Sequence, residues 1–269
     1  MDFKSLHRSR QVCKDWHSFI LEEALKFRGS PDAVKALKEC WKYESYTKTT
    51  IECPKDSGFY ICADEESVGV GTKHLKTLVI DIASGRETLS FKSEENPEVA
   101  DEDEEFYDIG HTDVQLDMTD VHIVTVSGCG NVTVVSRVTD QVLYSGFPHG
   151  RDTVLGVRVI GDFAVTGGSQ GSLAAYTLTQ DRVDLIYCKR DVHHAISHID
   201  SDGVRVLVGT ETDMVLWDFS ERSNPFLISR VDCGQVCCCV MSYPYAFCTG
   251  LFVNYGVQVW DMATKVKIR

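Results

Sequence analysis

Two segments near the end of the chain, DMVLWDFS (213–220) and GVQVWDMATK (256–265), each place a Trp-Asp pair at the end of an apolar run. Their tryptophans, Trp217 and Trp260, are 43 residues apart. Each pair is followed by turn-forming residues and then by further strand-forming residues. Self-similarity at a fixed spacing of this size indicates a structural repeat rather than two chance dipeptides.

The same spacing extends towards the start of the chain. Tyr176 lies 41 residues before Trp217, and Val135 lies 41 residues before Tyr176. The next match, Ile80-Asp81, is 55 residues before Val135, and this longer interval contains an acidic insertion, residues 94–108. The sequence therefore predicts five repeats, one of them carrying an acidic loop. We expect that loop to be solvated because its charges repel one another, with docking of a basic partner as the alternative.

Short strands with frequent turns are predicted from Thr47 onward. Apolar and β-branched runs of four to seven residues alternate with Gly, Asp, Asn and Ser, which favours an all-β sandwich, barrel or propeller. In each repeat a strand ends in a small or β-branched residue followed by glycine, as at Val70-Gly71, Ser127-Gly128, Thr166-Gly167, Val208-Gly209 and Thr249-Gly250.

This pattern resembles the WD-repeat family, whose repeats form four-stranded propeller blades. The resemblance implies a structural role within the blades for His111, His149, Thr166, Trp217, Asp218, Trp260 and Asp261. The sequence departs from the family where Gln170 stands in place of the expected Asp, and Tyr176 in place of the expected Trp. We therefore expect a reduced polar network and greater reliance on apolar packing.

The predicted fold class is mainly β, a WD-repeat propeller with about five recognisable blades, preceded by a short helical segment. Five repeats are fewer than the seven or eight blades common in the family. A five-bladed variant and an incomplete propeller both remain open, and we favour the incomplete propeller.

The segment SLHRSRQVCKDWHSFI (5–20) has apolar residues at helical spacing. It resembles the second half of an F-box, on the strength of Leu6, Val12, Cys13 and Trp16, with Arg10 and Lys14 between them. The alternative is an ordinary amphipathic helix. We divide the chain into an F-box-like motif (1–28), a helical linker (29–46) and the propeller (47–269).

The order of F-box and WD repeats implies a substrate-recognition adaptor of a Skp–cullin–F-box ubiquitin ligase. The expected partners are the Skp adaptor, the cullin scaffold and a protein substrate, with docking weakened because only half of the F-box is matched. The alternative is a WD-repeat scaffold without a ubiquitin role. No catalytic constellation is evident, so we expect a non-enzymatic binding protein without cofactors.

Basic residues in the segments between repeats are candidates for substrate binding. Arg151, Lys189 and Arg190 occupy equivalent segments, and they suit an acidic or phosphorylated partner. Simple surface basicity is the alternative.

Composition argues against two classes of function, nucleic-acid binding and insertion in a membrane. A net charge of −13 argues against nucleic-acid binding, and no apolar run reaches the length of a membrane span. The 11 cysteines follow no secreted framework, which favours the cytoplasm or nucleus. The cluster CGQVCCCV (233–240) is predicted to lie on a strand, where cysteine acts as a small apolar residue rather than a metal ligand. Similarly, His193, His194 and His198 are interpreted as structural.

Overall fold

The computed structural model describes residues 60–64, 66–72, 75–95, 114–150, 152–190, 192, 194–250 and 257–268. All of them belong to one compact unit, Ile51–Arg269. The regular secondary structure in these ranges consists entirely of β-strands. The predicted F-box-like motif (1–28) and helical linker (29–46) lie outside the described residues.

Twenty strands follow one another along the described chain. The first ten are β1 Tyr60–Ala63, β2 Ser67–Gly71, β3 Lys76–Asp81, β4 Glu87–Lys92, β5 Val114–Met118, β6 His122–Ser127, β7 Val132–Ser136, β8 Val142–Gly146, β9 Val154–Ile160 and β10 Phe163–Gly168. The others are β11 Ser172–Leu178, β12 Val183–Arg190, β13 Ile196–Ser201, β14 Arg205–Thr210, β15 Asp213–Asp218, β16 Phe226–Asp232, β17 Val236–Ser242, β18 Tyr245–Gly250, β19 Val257–Asp261 and β20 Val266–Lys267.

These strands form five antiparallel sheets of four strands each, and each sheet consists of four consecutive strands. We call the sheets blades 1 to 5 in chain order, so that blade 1 is β1–β4 and blade 5 is β17–β20. The prediction of a mainly β, propeller-like fold with five recognisable blades is confirmed.

The repeat spacing corresponds to one position in every blade. Ile80, Val135, Tyr176, Trp217 and Trp260 lie near the end of the third strand, and each pairs with a residue of the second strand. In blades 1 to 4 the pairing with the fourth strand shifts by one residue at this position. Such a bulge increases the local twist of the outer strand.

Neighbouring blades contact one another through their first strands. Each first strand packs beside the next first strand, and the second strand of one blade packs on the first strand of the following blade. The apolar core therefore lies between the sheets. For example, Phe163 and Leu173 of blade 3 share a buried cluster with Val206 and Trp217 of blade 4.

Glycines in the second strands permit this close approach in three blades. A Cβ atom at Gly71 would lie 2.0 Å from the carbonyl oxygen of Val114 in blade 2. At Gly167 and Gly209 it would meet side chains of the next blade at 2.4 and 2.7 Å. The predicted glycines of blades 2 and 5 fall one or two residues beyond this register, as the strand pairing shows for Gly250.

Replacement of Gly71 by alanine should lower the free energy of unfolding by about 2–3 kcal/mol, because the added methyl overlaps a backbone oxygen that cannot move without shifting blade 2. Gly85→Ala is the control: it has a φ of +66° but open space around it, so only the left-handed backbone cost of about 1 kcal/mol is expected. Urea denaturation measures both. Equal losses in the two variants would contradict the proposed contact.

Candidate binding site

The first strands of all five blades line a cavity of about 330 Å³. Each strand contributes the residue that occupies the same position in its pairing with the second strand. These residues are Cys62, Asp117, Arg158, Asp200 and Val240. The cavity therefore has one cation and two carboxylates on an otherwise uncharged wall.

Arg158 lies between the two carboxylates. Its guanidinium is 3.3 Å from Asp117 Oδ2 through one terminal nitrogen, and its Nε is 3.0 Å from Asp200 Oδ1. The arginine belongs to blade 3 and the carboxylates to blades 2 and 4, so the three charges join three consecutive blades.

The same carboxylates also accept hydrogen bonds from the next blade's backbone. The N–H of Val159 donates to Asp117 at 2.8 Å, and the N–H of Met241 donates to Asp200 at 2.7 Å. Burial raises the pKa of Asp117 in spite of the hydrogen bond from Val159 and the nearby Arg158 charge. Both carboxylates are therefore committed to internal contacts that hold the cavity wall in place.

Cys62 carries the only thiol among the five equivalent positions, Cys62, Asp117, Arg158, Asp200 and Val240. Burial, with a further contribution from the Asp117 charge, raises the pKa of this thiol to about 12. A thiol with so high a pKa stays protonated near neutral pH and is a poor nucleophile.

A buried polar network lies in blade 3. His149 is 2.7 Å from Ser172 Oγ through Nδ1 and 2.7 Å from Thr166 Oγ1 through Nε2. Ser172 donates to Asp152 at 2.6 Å, and Tyr176 OH is 3.5 Å from Thr166 Oγ1. The chain thus brings the predicted His149 and Thr166 into direct contact.

The acidic member of this network was missed in the sequence. Gln170 stands where an Asp was expected, but Asp152 accepts hydrogen bonds from the Gln170 backbone N–H and from Ser169 Oγ. The signal was present in the segment HGRD, where Asp152 follows His149 by three residues. Burial lowers the pKa of His149 to about 4, so the imidazole is neutral at pH 7 and acts as a fixed hydrogen-bonding group.

Blade 2 fills the same place with hydroxyl groups. Thr125 has the pairing position of Thr166, and Ser93 Oγ lies 3.3 Å from Thr125 Oγ1. Thr133 donates to Asn131 Oδ1 at 2.6 Å, and Thr133 Oγ1 lies 3.4 Å from Ser93 Oγ. His111, the histidine predicted for this repeat, lies outside the described residues.

The two tryptophans have different surroundings. Trp217 is 8 % exposed, and its indole N–H has no hydrogen-bond partner among the described residues. Val208 occupies the position that Thr166 has in blade 3, so blade 4 lacks that hydroxyl. Trp260 donates to Gln258 Oε1 at 3.2 Å. Trp217 is therefore held by apolar packing alone, within the buried cluster that blades 3 and 4 share. This agrees with the expectation of a reduced polar network.

The aspartates of the Trp-Asp pairs stabilise turns. Asp218 Oδ1 accepts the Ser220 N–H at 2.7 Å, and Asp261 Oδ1 accepts the Ala263 and Thr264 N–H groups at 2.9 and 3.1 Å. Asx turns of this kind fix the connection between the third and fourth strands.

Two of the three predicted substrate-binding residues, Lys189 and Arg190, lie away from the cavity. Lys189 and Arg190 are exposed at the end of β12, the outermost strand of blade 3, and Lys189 Nζ is 5.5 Å from the centre of the Tyr187 ring. Arg151 lies outside the described residues, as do Leu6, Val12, Cys13 and Trp16. The role of each of these residues stays a prediction.

The cysteine cluster lies in blade 5. On β17, Cys239 is buried and Cys238 is exposed, as alternation along a strand predicts. Cys233 is buried too, but it precedes β17, so the strand predicted over 233–240 begins only at Val236. The thiol of Cys233 hydrogen-bonds to Cys248, which raises the pKa of Cys233.

Within the described ranges no three Cys, His, Asp or Glu side chains are grouped to hold a metal ion. Nor does any helix of the described chain have the length and apolar character of a membrane span.

Comparisons with known proteins identify the fold of this chain but do not assign the chain to a sequence family. Neither the protein-family profiles nor the curated proteins give a match to the sequence. The solved structures of similar fold include the computationally designed Ika8 protein, with a TM-score of 0.64 and 15% identity over 82% of this chain. A chain of the mitotic checkpoint complex gives 0.62 and 14% over 81%, and U3-55K gives 0.61 and 12% over 81%.

The checkpoint-complex chain and U3-55K are both WD40 proteins. This chain spans 63% of Ika8, 66% of the checkpoint chain and 64% of U3-55K, slightly less than two thirds of each. At 12–15% identity these similarities establish a WD40-like propeller fold and nothing beyond the fold.

Replacement of Arg158 by methionine should lower the free energy of unfolding by about 2 kcal/mol at pH 7, because Asp117 and Asp200 then remain buried without their cation. This loss is smaller than is usual for a fully buried ion pair, because the Arg158 side chain is 41% exposed and water screens its charge. The control is Arg182→Met, whose side chain is 75% exposed beside Asp184, with an expected change below about 0.5 kcal/mol. Chemical denaturation distinguishes the two, and equal effects would refute a linking role for Arg158.

Proposed function

We propose that this chain is a non-catalytic protein-binding module. The observation that carries the proposal is the cavity that the five first strands line, with its charges already engaged and the Cys62 thiol held protonated. A rigid wall of this kind suits recognition without chemistry. The similarity in fold to WD40 proteins is in keeping with a scaffold, although function does not follow from fold alone.

The binding partner that we propose is an acidic or phosphorylated protein segment. Exposed Lys189 and Arg190 support this choice because both lie at the end of β12, where Arg190 pairs with Ser172, the hydrogen-bond partner of His149. Guanidinium and ammonium groups form charge-assisted hydrogen bonds with carboxylate and phosphate oxygens.

Simultaneous replacement of Lys189 and Arg190 by glutamate should weaken binding of a fluorescein-labelled acidic phosphopeptide by about tenfold or more, since two attractive charges become repulsive. Fluorescence polarisation at fixed ionic strength measures the change. Arg182→Glu is the matched control, because Arg182 is an exposed cation beside the opposite end of the same strand. Equal affinity of the double variant and the unaltered chain would contradict this binding surface.

A finer proposal is that the module serves as the substrate adaptor of a Skp–cullin–F-box ubiquitin ligase. Its support is the sequence resemblance at Leu6, Val12, Cys13 and Trp16, followed by WD-type repeats. The adaptor would raise the local concentration of substrate near the ubiquitin-loading enzyme. A WD-repeat scaffold without a ubiquitin role is the alternative.

Trp16→Ala should abolish capture of the purified Skp adaptor by this chain in a pull-down, because an aromatic anchor contributes much of the energy of a small interface. Trp41→Ala is the control, since that tryptophan lies in the linker and outside the F-box-like motif. If neither the unaltered chain nor a chimera with a complete F-box captures the adaptor, the scaffold alternative is favoured.

A further inference from the structure

One position in the second strand of blades 2 and 3 carries a buried hydroxyl that contacts a side chain from the segment before the first strand. In blade 3 the pair is Thr166 and His149, whose Oγ1 and Nε2 atoms are 2.7 Å apart. In blade 2 it is Thr125 and Ser93, whose hydroxyl oxygens are 3.3 Å apart. Each contact joins the connection that enters the blade to the second strand of that blade.

Blade 5 has two cysteines at this place. In the pairing of the second and third strands, Cys248 occupies the position that Thr166 has in blade 3. Cys233 lies just before the first strand of blade 5, as His149 lies before that of blade 3. The Cys233 thiol hydrogen-bonds to Cys248. Two sulfur atoms are therefore in contact where blade 3 has an imidazole and a hydroxyl.

The contacts around the two cysteines fix their relative positions. Gln258 pairs with Cys248 across β18 and β19, and its Nε2 donates to the Cys233 carbonyl oxygen at 3.4 Å. The N–H of Cys233 donates to the carbonyl oxygen of Thr212 in blade 4 at 3.3 Å. Both cysteines belong to the buried cluster that blades 4 and 5 share. The thiols thus meet within a packed interface.

The two thiols differ in acidity. The hydrogen bond from Cys233 lowers the pKa of Cys248 although burial opposes this, and the Lys267 charge adds to the lowering. The same hydrogen bond, together with burial, raises the pKa of Cys233. A thiolate is the form that attacks an oxidant, and a neighbouring thiol resolves the product. The pair therefore combines a nucleophile with a resolving thiol.

We propose that Cys233 and Cys248 are a redox-sensitive pair that a hydroperoxide, such as hydrogen peroxide, converts to a disulfide. The Cys248 thiolate attacks one peroxide oxygen, the O–O bond breaks and hydroxide leaves, so Cys248 becomes a sulfenic acid. The Cys233 sulfur then attacks the sulfenic sulfur, the S–O bond breaks, and the hydroxyl group leaves as water with the Cys233 proton. The two sulfurs together lose two electrons, which the peroxide gains.

A small oxidant can approach the pair from the side of Cys233. Cys233 is 9% exposed and follows the exposed Asp232, whereas Cys248 is 3% exposed. The disulfide would tie the connection between blades 4 and 5 to the second strand of blade 5, where blade 3 has only a hydrogen bond. This proposal is independent of the protein segment that the chain binds.

Cys239 is the competing partner for Cys248. It lies directly opposite Cys248 in the pairing of β17 and β18 and is 4% exposed. Residues opposite each other in an antiparallel pair have Cα atoms about 4.5 or 5.5 Å apart, which a disulfide can span. The Cys239 thiol, however, already has a hydrogen bond with the backbone of Gly209 in blade 4. Cys239 is therefore the matched control position.

Treatment of the reduced full-length chain with a molar excess of hydrogen peroxide tests the proposal. The remaining thiols are alkylated, and the chain is then digested with chymotrypsin. Cleavage after Tyr245 and Phe247 separates Cys248 from the cysteines that precede it in blade 5. Mass spectrometry should detect a disulfide-linked pair of peptides, with fragment ions that assign the link to Cys233 and Cys248, and dithiothreitol should release them. Absence of the linked peptides would overturn the proposal.

Serine variants identify the partner of Cys248 independently. Cys233→Ser should lower the yield of linked peptide about tenfold or more, because the resolving thiol is lost. Cys239→Ser should leave the yield unchanged. Far-ultraviolet circular dichroism verifies that each variant keeps its sheet structure. A link that persists in Cys233→Ser, or that is lost equally in both variants, would overturn the assignment of the pair.

Discussion

Packing of one blade's face against the first strand of the next is the interaction on which the rest of this structure depends. A four-stranded sheet has two faces, and an isolated sheet of this size cannot bury both of them. The buried clusters accordingly combine residues of successive blades, such as Val134 of blade 2 with Val154 of blade 3. Each Å² of apolar surface removed from water contributes about 25 cal/mol. Stability is therefore shared between neighbours.

The same constraint explains why the blades tolerate different polar groups. Interfaces between blades enclose hydroxyls and imidazoles, and most of these buried groups have a hydrogen-bond partner, although the Thr77 and Ser229 hydroxyls have none among the described residues. Blade 3 meets this requirement with His149, Thr166 and Asp152, whereas blade 2 uses Ser93 and Thr125. A weakened repeat signature in the sequence thus accompanies a complete four-stranded sheet.

The central cavity is a consequence of this packing and also the feature that bears on function. Arg158 joins Asp117 and Asp200 across three blades, so the charges of the wall stabilise the scaffold. The exposed cations Lys189 and Arg190 lie on an outer strand instead. The charges of the cavity wall thus contribute to the scaffold, whereas the exposed side chains of the outer strand can vary without loss of the fold.

Much of the fold could be predicted from the sequence because the pairs at Trp217 and Trp260 recur at a spacing that matches one blade. The strand predicted for the cysteine cluster is also present from Val236 onward, where buried Cys239 and exposed Cys238 face opposite sides. The ion triad at Arg158 was decided by the tertiary structure alone, and the tertiary structure also identified Asp152 as the acidic partner in blade 3. Their partners are distant in sequence or offset from the motif, and only the packing of successive blades brings them together.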